Sequence, residues 1–128
     1  MMDRFLWICL GGAVGTGARY LMAGWVLRWL GSGFPWGTFA VNVLGSFLVG
    51  VLMHVGLATE LMSPTLRMAL TVGVMGGFTT YSTFSYETVR LLEEEAWLLA
   101  FANIGATTVG CLLACYLGIV AARLIVGS

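Results

Sequence analysis

The residues from Gly76 to Ser85, which read Gly-Gly-Phe-Thr-Thr-Tyr-Ser-Thr-Phe-Ser, lie inside a hydrophobic segment long enough to cross a lipid bilayer. Two adjacent glycines followed by hydroxyl and aromatic side chains do not suit a helix that faces lipid. Irregular backbone at membrane depth persists only where it is buried in protein or lines a wet cavity. A broken helix also frees backbone amides and carbonyls to bind ions, as in channels and transporters. This run therefore predicts a helix broken at mid-membrane, beside a pathway for a small ion or solute.

The composition of the whole chain agrees with a membrane location. Hydrophobic residues make up 59% of the sequence and charged residues only 9%, whereas soluble domains carry roughly 25% charged residues. Because a span needs about 20 residues, a chain of 128 residues has room for four helices and little else. We predict an all-α membrane protein with a single transmembrane domain over residues 1–128. Its four spans are predicted at 5–30, 36–58, 65–92 and 96–125.

No side-chain pattern in the sequence predicts an enzyme or a metal-binding cluster. The three cysteines, Cys9, Cys111 and Cys115, and the single His54 fall within predicted spans. Their spacing matches no zinc site, and a packing role suits buried cysteines. No nucleophile is paired with a base. The formal net charge of zero argues against a nucleic-acid partner, because such proteins carry basic patches.

The arginines leave the orientation of the chain in the membrane unspecified. Loops rich in Arg and Lys normally stay on the cytoplasmic side, but this sequence has no lysine. The predicted spans place three arginines on one side, two on the other and one inside the first span: Arg4, Arg67 and Arg123; Arg28 and Arg90; Arg19. Either another signal directs insertion, or the chain inserts both ways and pairs with its inverted copy. Four short helices enclose no pore alone, so a transport path would need a partner.

A single amide, Asn42, interrupts the apolar second span ahead of three small residues, Gly45, Ser46 and Gly50. Polar groups in hydrocarbon are costly, so each one needs a role. A hydrogen bond between helices, worth roughly 0.6–2 kcal/mol, is one such role. Donation from the side-chain NH2 group to an anion is the other. The residue types alone favour neither.

The fourth span carries two parallel ladders at i, i+4 spacing, one polar and one of small residues. They comprise Asn103, Thr107, Cys111 and Cys115, and Ala106, Gly110, Ala114 and Gly118. Small residues let helix backbones approach closely. The polar ladder beside them is therefore expected to face either a packed neighbour or a narrow hydroxylated crevice.

Two charged residues lie more than two positions inside the ends of the predicted spans, where lipid would oppose them. Arg19 in the first span would cost roughly 2.5–3.5 kcal/mol at a helix centre. It can extend to the headgroups beside Trp25 and Trp29, or attract anions to a pore entrance. Glu87 follows the broken run and can pair with an arginine or accept a hydrogen bond from a hydroxyl.

Three spaced motifs resemble the Fluc (CrcB) family of fluoride channels over nearly the full length of the chain. They are Gly11-Gly-x-x-Gly15-x-x-x-Arg19-Tyr20, Trp36-Gly-Thr-x-x-Val-Asn42-x-x-Gly45 and Gly76-Gly-x-Thr-Thr-Tyr-Ser-Thr-Phe-Ser85-x-Glu87. The resemblance implies an antiparallel, dual-topology homodimer of four-helix subunits with two fluoride pores. It also implies passive export of fluoride through the inner cell membrane, which relieves toxic cytoplasmic fluoride without any chemical step.

The resemblance further implies roles for individual residues. Asn42 would supply the pore amide, and the rings of Tyr81 and Phe84 would flank the ions with their edges. Arg19 would lie near a pore entrance. The polar track would include Ser82, Thr83, Asn103 and Thr107.

A structural sodium ion (Na⁺) at the dimer interface is also implied by the resemblance. Gly76 and Thr79 match the residues whose backbone carbonyls hold it. Two positions depart from the family pattern: Tyr81 stands where many relatives have phenylalanine, and Asn103 where some have tyrosine. These departures affect the ring and polar-track assignments, respectively.

Two other functions fit the size of the chain less well. A proton-coupled small multidrug exporter needs a carboxylate in its first span, and residues 5–30 contain no Asp or Glu. A non-transporting membrane subunit would explain the glycine-rich faces through packing. It would leave the broken run and Asn42 unexplained.

Overall fold

All regular secondary structure in the described part of the chain is helical. The computed structural model describes residues 2–127. In chain order its elements are α1 (Met2–Leu30), α2 (Trp36–Ala58), α3 (Pro64–Met68), a π-helix (Ala69–Met75), α4 (Gly76–Phe78), α5 (Tyr81–Glu93) and α6 (Trp97–Val126). The prediction of an all-α protein is confirmed.

Three of these helices, α1, α2 and α6, are long and apolar enough to cross a membrane. The shortest of them, α2, has 23 residues, which at about 1.5 Å per residue exceeds the roughly 30 Å hydrocarbon core. The predicted third span, 65–92, is instead divided among three short α-helices and the π-helix. None of these pieces reaches that length alone, so a count of four spans stays a prediction.

The helical backbone is interrupted at Thr79 and Thr80, inside the glycine- and hydroxyl-rich run. Both residues are extended, with φ and ψ of −86° and 156° at Thr79 and of −148° and 113° at Thr80. The Thr80 hydroxyl caps α5, because its oxygen accepts a hydrogen bond from the Thr83 backbone N–H at 3.2 Å. Threonine is preferred at such caps since its oxygen satisfies an N–H that lacks a helical partner. The run thus supplies the residue that restarts the helix.

Glycines bring α2 and α6 into backbone contact. A Cβ atom added at Gly50 would collide with the carbonyl of Cys115, and one added at Gly118 would collide with the carbonyl of Phe47. Only a residue without a side chain fits at such a crossing. The expected close approach of small residues in the fourth span is therefore confirmed at Gly118.

The π-helix and α4, which precede the interruption, lie against both α1 and α2. A Cβ atom added at Gly11 of α1 would be 2.5 Å from the Ala69 carbonyl oxygen of the π-helix. On the other side, Val41 of α2 forms a small buried cluster with Met75 and Phe78. These contacts fix the C-terminal end of α4, from which the interruption starts.

The buried face of α6 follows neither predicted ladder along its whole length. Asn103 and Thr107 of the polar ladder are buried, but farther along the helix Ala114 and Gly118 of the small ladder take their place. Each step of four residues turns about 40° beyond a full turn of an α-helix, so a strict i, i+4 ladder leaves the contact face. Ala106 is accordingly exposed. This corrects the expectation of one continuous stripe of small residues.

Candidate functional site

Asn42 holds the interruption through two hydrogen bonds to one residue. Its Nδ2 donates to the Thr80 carbonyl oxygen at 3.0 Å, and its Oδ1 accepts from the Thr80 backbone N–H at 2.7 Å. Both residues are buried. The side-chain amide thus satisfies backbone groups that have no partner in a helix. Because an asparagine NH2 group carries two N–H donors, one donor remains after this pairing.

Three hydroxyl groups meet at the start of α5. Thr80 Oγ1 donates to Thr83 Oγ1 at 3.0 Å and lies 3.4 Å from Ser82 Oγ. The structure therefore brings Ser82 and Thr83, two residues expected on the polar track, together around Thr80. Thr80 was not predicted as a site residue from the sequence. A hydroxyl residue directly before a helix start is the signal that would have identified it.

Tyr81 and Phe84 form an aromatic pair on the first turn of α5. Their ring centroids are 5.4 Å apart and their planes are tilted by 46°. The structure therefore brings the two expected rings together. Phe84 is only 8% exposed, whereas Tyr81 is 79% exposed, so the chain covers one ring and leaves the other on its surface.

Arg19 reaches from α1 to the broken segment. Its Nε donates to the Gly77 carbonyl oxygen at 3.0 Å, and its side chain is partly buried. The last carbonyls of a helix lack helical partners, and Arg19 satisfies one of them at the end of α4. This hydrogen bond gives Arg19 a structural role at the interruption, in addition to the two roles that the sequence suggested.

The carbonyl oxygens of Gly76 and Thr79 lie next to others that are already satisfied. The Met75 carbonyl accepts from both the backbone N–H and the hydroxyl of Thr79, at 3.0 and 2.9 Å. Among residues 2–127, no hydrogen bond from a side chain, a turn or a helix cap ends on the carbonyl of Gly76 or Thr79. Neutral carbonyl oxygens of this kind are suitable ligands for a hard cation.

Asn103 and Thr107 are joined to each other and to α5. Thr107 Oγ1 donates to Asn103 Oδ1 at 3.2 Å, and Asn103 Nδ2 donates to Thr88 Oγ1 at 2.9 Å. Thr88 Oγ1 in turn donates to the Phe84 carbonyl at 2.7 Å. All three polar side chains are buried. The expected polar ladder therefore faces a packed neighbour here, and Thr88 is a residue that the sequence analysis missed.

A cavity of about 720 Å³ opens beside the interruption. Side chains of both charge signs line it, including Arg19, Arg90 and Glu87 together with the hydroxyl residue Thr83. Of the residues expected along an ion pathway, Arg19 and Thr83 contribute to its wall. The others lie outside the lining: Asn42, Tyr81, Ser82, Phe84, Asn103 and Thr107.

Glu87 presents a buried carboxylate oxygen to this region. Its Oε1 has no hydrogen-bond partner among residues 2–127. Arg90 pairs instead with Glu94 at 3.2 Å on the surface, where an ion pair contributes only about 0–1 kcal/mol. Within the described residues, this oxygen therefore has neither the arginine nor the hydroxyl partner that the sequence suggested.

The cysteines and the histidine lie apart from these contacts. Cys9 is exposed, and Cys111 and Cys115 are partly buried; all are free thiols. His54 Nε2 lies 2.8 Å from the Gly127 carbonyl oxygen at the end of α6. Among residues 2–127, no group of His, Cys, Asp and Glu side chains is arranged to hold a metal ion.

Comparison with known proteins identifies the family. Residues 6–119 match the family described as CrcB-like protein, Camphor Resistance (CrcB). A Sorangium cellulosum protein named Fluoride-specific ion channel FluC is 54% identical over 127 residues, covering 99% of this chain and 100% of its own length. Proteins of the same name from Geobacter sulfurreducens and Anaeromyxobacter sp. are 52% and 50% identical, covering 95% and 98% of this chain and 98% and 100% of their own lengths. With three helices able to cross a bilayer, the chain is a multi-pass membrane protein, and it belongs to the CrcB family.

Proposed function

We propose that this protein is a fluoride-selective ion channel that exports fluoride passively from the cytoplasm. The observation that carries the proposal is identity of about half, over nearly the whole chain, to proteins named Fluoride-specific ion channel FluC. The helix interruption supports it, because it gathers an amide, hydroxyls and two rings in one region. A channel moves its ion without a chemical step, so the protein is not an enzyme.

The chemistry of these groups suits fluoride. Fluoride is the smallest halide and holds water strongly, so a selective path has to replace that water with hydrogen-bond donors at short range. Amide N–H and hydroxyl groups supply such donors. The edges of aromatic rings are positive because of the ring quadrupole, so Tyr81 and Phe84 can favour an anion without carrying charge.

The remaining N–H of Asn42 is the group we assign to fluoride. Its other N–H and its Oδ1 are bound to Thr80, and these bonds fix the plane of the amide. The two roles that the sequence left open are therefore compatible in one side chain. Ser82 and Thr83 at the start of α5 would continue the path, and Arg19 would draw anions into the adjacent cavity.

The assembly that we propose is an inverted homodimer in the inner cell membrane. The third span would comprise α3, the π-helix, α4 and α5, broken at Thr79 and Thr80 at mid-membrane, which gives four spans per subunit. The nearly equal arginine count on the two sides supports dual topology. The exposure of Tyr81 in one subunit supports a partner that covers this surface.

A structural sodium ion between the two subunits completes the proposal. The carbonyls of Gly76 and Thr79 would hold it, one pair from each copy. The fit rests on the absence of any hydrogen bond to them from a side chain or from the turns and caps of residues 2–127 and on their neutral charge, which suits a monovalent ion better than magnesium. When bound, the ion would supply a positive charge that holds the two interruptions together.

Fluoride efflux from liposomes tests the function. Purified protein should release trapped potassium fluoride, measured with a fluoride electrode, once a potassium ionophore removes the opposing voltage. Chloride-loaded liposomes are the matched control and should release little. No fluoride efflux from protein that elutes as one species would contradict the proposal, and cation uptake driven by a proton gradient would indicate an exporter.

A further inference from the structure

Three buried side chains form one directed hydrogen-bond chain from α6 to α5. Each one donates to the next, from Thr107 to Asn103, from Asn103 to Thr88 and from Thr88 to the carbonyl of Phe84. Hydrogen bonds linked in this way polarise one another in a low-dielectric interior. This hydrogen-bond chain ends on the backbone carbonyl of Phe84, the residue with the buried ring.

Helix α5 has few other attachments to the rest of the subunit. Only two of its residues, Phe84 and Thr88, are buried. Side-chain hydrogen bonds join it to other helices at two places, from Asn42 to its cap residue Thr80 and from Asn103 to Thr88. Phe84 lies between these two attachments. Its orientation therefore depends on both of them.

The two hydroxyl donors of this hydrogen-bond chain are occupied, whereas Asn103 keeps a second N–H, which bears on what these residues can bind. An anion needs N–H or O–H donors. The hydroxyl protons of Thr107 and Thr88 are directed to Asn103 and Phe84, and one N–H of Asn103 is directed to Thr88. The Thr107 hydroxyl cannot turn to an ion without leaving the buried Asn103 Oδ1 unsatisfied, which is unfavourable.

We propose that Thr88 is a positioning residue that holds Phe84 toward Tyr81, and that Asn103 and Thr107 act through it. In this view Thr107 supports the pathway without binding fluoride directly, and the effect of Asn103 on the pathway passes through Thr88. The proposal rests on the proposed fluoride-channel function. It adds a specific mechanical role to a threonine whose only buried neighbour on α5 is Phe84.

Replacement of Thr88 tests the role of its hydroxyl. Thr88→Val keeps the shape but removes both hydrogen bonds, and we expect the single-channel fluoride current in planar bilayers to fall about tenfold. Thr88→Ser keeps the hydroxyl and should stay within about twofold of the unchanged protein. A purely structural role would reduce the number of active channels but not the current through each one. An unchanged single-channel current in Thr88→Val would overturn the proposal.

A second pair of variants covers the case in which Thr88→Val does not fold. Thr88→Ala and Thr88→Ser differ by one oxygen atom, so the serine variant should carry the larger current. Equal currents would contradict a positioning role. If the unchanged protein carries no fluoride current at all, the proposed channel function itself fails. That outcome is distinct from a failure of the positioning role of Thr88 alone.

A double variant tests whether Asn103 acts through Thr88. Asn103→Leu should lower the single-channel current as Thr88→Val does. If the two residues act in series, the variant that carries both substitutions should have a single-channel current no lower than that of the single variant with the lower current. Reductions that multiply would show that Asn103 contacts the ion independently, which would overturn this part of the proposal.

Discussion

Asn42 shows how one buried side chain can stabilise an irregular backbone and still present a donor. Its Oδ1 and one N–H bind the two backbone groups of Thr80. Removal of a partner from a buried polar group costs about 1–3 kcal/mol, so the amide contributes to the shape of the interruption. The same two bonds set the direction of its second N–H.

We expect Asn42→Asp to abolish fluoride efflux. The aspartate keeps an acceptor for the Thr80 N–H, but it cannot donate to the Thr80 carbonyl when ionised, and it places negative charge where an anion would pass. The effect is measured with the liposome assay, on variant protein that elutes at the same position as the unchanged protein. Ser46→Ala, one turn away on α2, is the matched control and should conduct normally. Near-normal efflux from Asn42→Asp would leave Asn42 with a purely structural role.

At the scale of elements, the interruption joins two helical pieces that are held in different ways. α4 and the π-helix pack on α1 through glycines, with Gly73 so close that an added Cβ would lie 2.7 Å from the Ile8 carbonyl. α5 depends instead on polar side-chain contacts at Thr80 and Thr88. The interruption thus separates a tightly packed piece from a more weakly attached one.

We expect removal of sodium to weaken fluoride conduction. If the Gly76 and Thr79 carbonyls of two copies share one cation, its loss leaves dipoles that repel each other across the subunit boundary. Exchange of all sodium for a large organic cation should lower efflux or dimer stability, and potassium should restore it poorly. The measurements are the liposome assay and the thermal midpoint of the dimer. Full activity and unchanged stability after exhaustive exchange would refute the sodium site.

The sequence predicted the all-α class and the region of the interruption, because both depend on local composition. Two glycines followed by hydroxyl residues are visible within the run that contains Thr79 and Thr80. The contacts that give this region its shape are not local. Asn42 and Thr80 are 38 positions apart, and Thr88 and Asn103 are 15 apart, so their pairing depends on how the helices pack. The π-helix was also unforeseen, since its residues, Ala69–Met75, read as an ordinary apolar helix.

At the scale of the whole molecule, one subunit leaves much of its apolar surface uncovered. Large hydrophobic side chains are exposed along α1 and α6, among them Leu10, Val14, Leu112 and Leu113. Lipid covers part of such a surface in a membrane protein. An inverted copy would cover another part, and would also enclose the exposed ring of Tyr81.

We expect both orientations of the subunit to occur in cells. A cysteine introduced by Glu93→Cys, in a chain whose native cysteines have been replaced, should react with an impermeant reagent from either side of the membrane. Glu93 is exposed at the end of α5, so the label can reach it. A cysteine in a soluble periplasmic marker protein controls for membrane leakage. Labelling from one side only would contradict dual topology.

The glycine crossing between α2 and α6 limits how this molecule can move. If α6 slid along α2 by one helical turn, about 5.4 Å, Ala114 or Ala122, which share its buried face, would take the place of Gly118 against the Phe47 carbonyl. Neither side chain fits there, since even a single added carbon at Gly118 collides. We therefore expect the two helices to stay in register and to move together. We expect any change in the width of the proposed path to arise in α5, Tyr81–Glu93, which contains no glycine.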